Sequence, residues 1–149
     1  MKKLILFTLS VFLTACSFGG SSKLERNRQT WQDSGVTHYR FSLNIGCFCV
    51  FRDKMPITVE VQNGEVISMI YPDGTLIAVT DPNYESFYRH ATIERLFAEL
   101  ETGLSGAADE VTVTYDSTFG FPREIRFDYI KAALDDELSL SVSSFESLK

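Results

Sequence analysis

Tyr39, Phe41, Leu43 and Ile45 are apolar at every second position, and Ile57, Val59 and Val61 repeat the pattern. A period of two sets one face of a strand against a core and the other in water. The second run ends in Asn63-Gly64, a pair suited to a two-residue hairpin because both residues accept positive φ. The middle of the chain is therefore committed to antiparallel sheet. Gly46-Cys47-Phe48-Cys49 follows the first run directly, and the two cysteines continue its odd-numbered face.

The rest of the chain fits around that sheet. Lys23 to Asp33 reads as a short helix with Leu24, the stem of Arg28 and Trp31 on one side, and Gly35 as its stop. The first strand is expected over Thr37 to Val50, the second over Ile57 to Gln62 and the third over Glu65 to Tyr71. Thr75 to His90 has no clear period and reads as a long loop. Thr92 suits an N-cap, and Ile93, Leu96, Phe97, Leu100 and Leu104 recur at helical spacing behind it. Three more strands are expected at Glu110 to Tyr115, Arg123 to Tyr129 and Glu137 to Phe145. The serines of the last strand, Ser139, Ser141 and Ser143, form a wet face. The fold class is α+β: an antiparallel sheet of about six strands, built as two three-stranded meanders, with two helices packed on one face. The order of helix then three strands, twice over, suggests a weak duplication, with Ile57–Val61 set against Val111–Tyr115.

The N-terminus fixes the expected compartment. Met1-Lys2-Lys3 is basic, Leu4 to Leu13 is apolar, and Leu13-Thr14-Ala15-Cys16 closes the run. The apolar run suits a signal peptide and is too short to span a bilayer. The closing tetrapeptide resembles the lipobox of bacterial lipoproteins. That resemblance implies cleavage after residue 15 and acylation of Cys16. Two or three acyl chains suffice for stable anchoring. Ser17, where an aspartate would retain the protein, implies the outer membrane, facing the periplasm of a Gram-negative host. Residues 16–22 then form a lipidated flexible tether, with Gly19-Gly20-Ser21-Ser22 at its end, and 23–149 a single domain.

About 134 residues remain after such cleavage, enough for one domain with its own core. The formal charge of the whole chain is -6. Loss of Lys2 and Lys3 leaves 12 basic against 20 acidic residues, a balance that opposes nucleic-acid binding and anionic lipid alike. The expected membrane partner is thus reached through the lipid alone. Cys47 and Cys49 remain as a pair in an oxidising compartment. Disulfide, free thiols and a metal site are the three readings. Disulfide is the plain expectation, with Gly46 admitting the bend that brings the sulfurs together. The metal reading lacks further ligands, since His38 and His90 do not stand at ligand spacing. A redox role lacks the usual thiolate activation, because the nearest cation in sequence is Arg52.

Several blocks together resemble a family of uncharacterised bacterial lipoproteins, the domain of unknown function 6174. They are Trp31, Tyr39-x-Phe41, Cys47-Phe48-Cys49 and Val59-x-Val61-x-x-Gly64-x-Val66, then Thr92-x-Glu94-x-Leu96-Phe97. The last block is Val113-x-Tyr115-Asp116 with Gly120-Phe121-Pro122, Asp128 and Asp135-Asp136-Glu137. Phe121 stands where a tyrosine is common. The resemblance covers nearly all of the expected domain and implies one domain and a lipoprotein, with no activity attached.

No catalytic, cofactor or metal site is expected. There is no phosphate cradle, nucleophile elbow or metal-binding helix motif. Asp116 reads as closing its own turn, and Asp135-Asp136 as part of a loop. Tyr84, Phe87 and Tyr88 in the long loop are the candidate interaction surface. The expected function is a membrane-anchored, non-enzymatic binding or accessory module with an envelope protein as partner. The alternatives are a thiol-redox lipoprotein using Cys47 and Cys49, and an inhibitor of an envelope hydrolase.

Overall fold

The computed structural model describes residues 19–148. The expected signal peptide and Cys16 lie outside them. Along the chain come α1 (Gly19–Asp33), β1 (His38–Gly46), β2 (Ile57–Gln62), β3 (Glu65–Ile70), α2 (Tyr84–Tyr88), α3 (Ile93–Thr102), β4 (Glu110–Tyr115), β5 (Pro122–Asp128) and β6 (Leu138–Ser147). The six strands form one antiparallel sheet in the order β3-β2-β1-β6-β5-β4. Each meander is contiguous in sequence, and the seam between them pairs β1 with β6. The class is α+β.

Alternation decides which face is buried. Tyr39, Phe41, Leu43 and Ile45 of β1 are buried, as are Ile57, Val59 and Val61 of β2. Ile125 and Phe127 of β5 and Leu140 and Val142 of β6 complete that face. The other face carries Ser42, Thr58, Glu60, Thr112, Arg126, Ser139 and Ser141 and is solvated. Asn63 and Gly64 take φ of 53° and 80°, as a tight hairpin between β2 and β3 requires.

Two helices cover the apolar face. Thr92 accepts a hydrogen bond from the Arg95 N–H and caps α3, whose Ile93, Leu96, Phe97 and Leu100 are buried. Gly103, just after α3, leaves no room for a Cβ beside the Phe127 ring, so the helix end sits directly on β5. α1 buries Leu24 and Trp31, and Arg28 bridges to Glu101 at 2.7 Å while lying over the Phe97 ring.

Several expectations change. α1 begins at Gly19, so it includes Gly19–Ser22, the last part of the expected tether. α2 is a third, one-turn helix inside the expected loop; Tyr84, Phe87 and Tyr88 are spaced as one helical face. β1 stops at Gly46, four residues early, and Cys47 to Cys49 leave the strand in a bend. Leu104 is 40% exposed, because the chain leaves α3 through a wider turn over Gly103–Ala107 and carries that side chain off the apolar face. The suggested duplication does not place its two segments alike: β2 lies inside the sheet, whereas β4 is an edge.

Candidate functional site

β1 carries a different cluster at each end. Near its start, the Tyr39 hydroxyl donates to Glu94 Oε2 at 3.2 Å and accepts from the Ile93 N–H at 3.1 Å. The Trp31 indole N–H donates to Glu94 Oε1 at 2.9 Å. One carboxylate in the first turn of α3 thus ties α1 and β1 to that helix, where the helix dipole also favours negative charge. Burial, and then the neighbouring Glu94 charge, push the Tyr39 phenol far above its ordinary pKa. It stays neutral and acts as a structural hydrogen-bond relay. Trp31 also meets Tyr39, Phe121 and Phe145 edge-on.

At the far end lies a cleft of about 650 Å³. Cys47, Cys49, Ile45, Phe51 and Leu138 line one part, and Glu85, Tyr88, Arg89, His90 and Arg95 another. The Cys47 and Cys49 sulfurs lie at disulfide distance, with Cα atoms 5.2 Å apart. Both residues are half-buried. Phe48 between them is 77% exposed and Val50 is 96% exposed. His90 is 6% exposed, and its Nδ1 has no hydrogen-bond partner among the described residues. Burial, followed by the charge of Arg89, lowers its pKa to about 4, so the imidazole is neutral near pH 7. Arg95 lies over the Tyr88 ring at 3.8 Å and donates to the Tyr88 carbonyl.

A family model of unknown function, DUF6174, matches residues 23–147. The chain belongs to that family. No curated protein and no solved structure matches it. In this DUF6174 chain some of the blocks that carry the resemblance fall at the two ends of β1, and the others lie along β2 to β5 and the loops. Trp31, Tyr39 and Glu94 meet in one hydrogen-bonded network, and Cys47-Phe48-Cys49 forms the lip of the cleft.

The sequence-expected sites fare unevenly. Phe87 is fully buried against Phe51 and Tyr71, so it is core and not interaction surface. The i,i+3 and i,i+4 spacing of α2 turns Phe87 inward. Tyr84 and Tyr88 remain half-buried and stack on each other at 5.4 Å. Arg52 is not the only cation to consider beside the cysteines, since Arg89 and Arg95 share their cleft. Roughly forty residues of chain separate them from the pair, which hides the meeting from local reading. The signal that would have found it is the one-turn spacing of Tyr84, Phe87 and Tyr88, which carries Arg89 and His90 back to the end of β1.

The carboxylates work as turn formers. Asp116 Oδ1 accepts from the N–H groups of Thr118 and Phe119, and Asp136 Oδ2 accepts from that of Ile130. Desolvation, then the charges of Asp136, Glu137, Glu110 and Asp109, raise the Asp128 pKa. Among the described residues no group of three or more His, Cys, Asp or Glu is placed to hold a metal ion. Nor is any described helix long and apolar enough to cross a membrane.

Proposed function

We propose that this DUF6174 chain is an envelope lipoprotein, held by acyl chains on Cys16 at the periplasmic side of the outer membrane, whose domain serves as a binding or accessory module for another envelope protein. The observation that carries the proposal is Leu13-Thr14-Ala15-Cys16 behind a basic start and a short apolar run. The solvated, hydroxyl-rich sheet face and the edge strand β4, which pairs with β5 alone among the described strands, support a binding role, since such an edge offers backbone groups to a partner.

Mass spectrometry of the N-terminal peptide from cell envelopes tests the anchor. The expected product starts at Cys16 and carries two or three acyl chains, and Cys16→Ser abolishes both cleavage and acylation. An intact, unlipidated precursor inside the cell overturns the proposal. Crosslinking in intact envelopes, followed by capture of the lipidated chain, then identifies the partner.

A further inference from the structure

We propose that the cleft at the end of β1 is a thiol–disulfide exchange site, in which the Cys47–Cys49 bridge accepts electrons from a client polypeptide carrying two cysteine thiols. The proposal relies on the envelope reading above only for the oxidised resting state of the bridge. Four observations converge on it.

The bridge joins residues two apart in a bend outside the sheet. Closing so short a loop barely restricts the unfolded chain, so the fold does not depend on it. Both cysteines line an open cleft, where an incoming thiolate can reach them. Arg89 and Arg95 line the same cleft, and positive charge stabilises the thiolate that leaves when a disulfide opens. Phe48 and Val50 project from the bridge into solvent, presenting apolar side chains to an extended client segment.

The exchange balances in two steps. A client thiolate attacks one sulfur of the bridge. The S–S bond breaks, its electron pair leaves on the other sulfur, and a mixed disulfide joins client to protein. The second client thiol, deprotonated, then attacks the client's sulfur in that mixed disulfide. The client departs with an internal disulfide, and Cys47 and Cys49 remain as a dithiol that has gained two electrons and two protons. A second protein, bearing a more oxidising disulfide, restores the bridge.

The test uses the detergent-extracted chain carrying Cys16→Ser. Cys47 and Cys49 are then its only cysteines, so the result stands apart from the fate of Cys16. The probe is a synthetic peptide with two cysteines separated by a flexible linker, and its oxidation is followed by mass spectrometry. The expected rate exceeds that given by the same concentration of glutathione disulfide by at least about tenfold. Arg89→Gln lowers it severalfold with unchanged circular dichroism. With Cys47→Ser or Cys49→Ser, one of the two remaining single thiols accumulates a mixed disulfide with an oxidised single-cysteine peptide. A bridge that stays oxidised in excess reduced glutathione, or a peptide rate no higher than glutathione disulfide gives, overturns the proposal.

Discussion

At the start of β1, Tyr39 is buried and its hydroxyl both donates and accepts, Glu94 receives two hydrogen bonds, and Trp31 is enclosed by aromatic rings. At the end of the same strand, two half-buried cysteines at disulfide distance line an open cleft, Phe48 and Val50 stand in water, and the buried His90 Nδ1 has no partner among the described residues. The first cluster meets every polar demand it makes and locks three elements together. The second leaves demands unmet, which costs stability and leaves groups free to act. A single strand thereby links a region built for rigidity to one whose construction makes little sense as a support.

Substitutions sharpen that contrast. The largest loss is expected from Tyr39→Ala, which removes a buried ring and the relay together, at about 3–5 kcal/mol in denaturant unfolding. A change below about 1 kcal/mol there would erase the distinction between the two ends.

Acid should strike the other end next. His90 has a folded pKa near 4 against an ordinary value near 6.5. The unfolded chain therefore binds the extra proton first as pH falls. Stability is full above about pH 6.5, declines from there towards pH 4, and is flat below with respect to this group, a loss on the order of 3 kcal/mol. His90→Phe should flatten the unfolding free energy across that window. The lowered carboxyls of Glu60, Asp73 and Asp81 act only at the acid edge of the same range. If the variant and the wild type decline in parallel, His90 is not the group responsible.

Tyr39→Phe keeps the ring and deletes only the relay, leaving the buried Ile93 N–H unpaired. It should cost about 1–2 kcal/mol, seen as a lower Tm. Replacing Cys47 and Cys49 together by Ala should cost less than about 2 kcal/mol, as a three-residue loop predicts. Phe48→Ala should fall within about 0.5 kcal/mol. A large loss from either of these last two changes would make the cleft end a structural element after all.

Local pattern made much of the fold legible. The alternation of β1 and β2, the Asn63-Gly64 turn and the Thr92 cap are all local, and each sits where the sequence places it to within a few residues. What depends on tertiary position was not legible. β1 ends at Gly46 although Cys47 and Cys49 continue its alternation, because the chain bends there. Phe87 reads like any loop aromatic until one helical turn carries it under Phe51 and Tyr71. The cleft needs Arg89, His90 and Arg95 to meet the cysteines across about forty positions; the one-turn spacing of Tyr84, Phe87 and Tyr88 marks a helix there, but the place where that helix packs is set by tertiary contacts. The Glu94 clamp was half legible. Trp31, Tyr39 and Glu94 all stood among the residues that resemble the family, but nothing local says that they touch.

The seam between the meanders carries one more implication. Tyr39 pairs with Ser147 across the middle of the sheet, so the central contact joins residues near opposite ends of the domain. High contact order of this kind slows folding, and here it also makes the last strand decisive. While the C-terminal segment is still on the ribosome, the N-terminal meander exposes the side of β1 that β6 will occupy. Deleting the ten residues of β6 would leave a three-stranded and a two-stranded fragment with no strand pairing between them, so C-terminal truncation should yield an aggregating chain rather than a smaller domain.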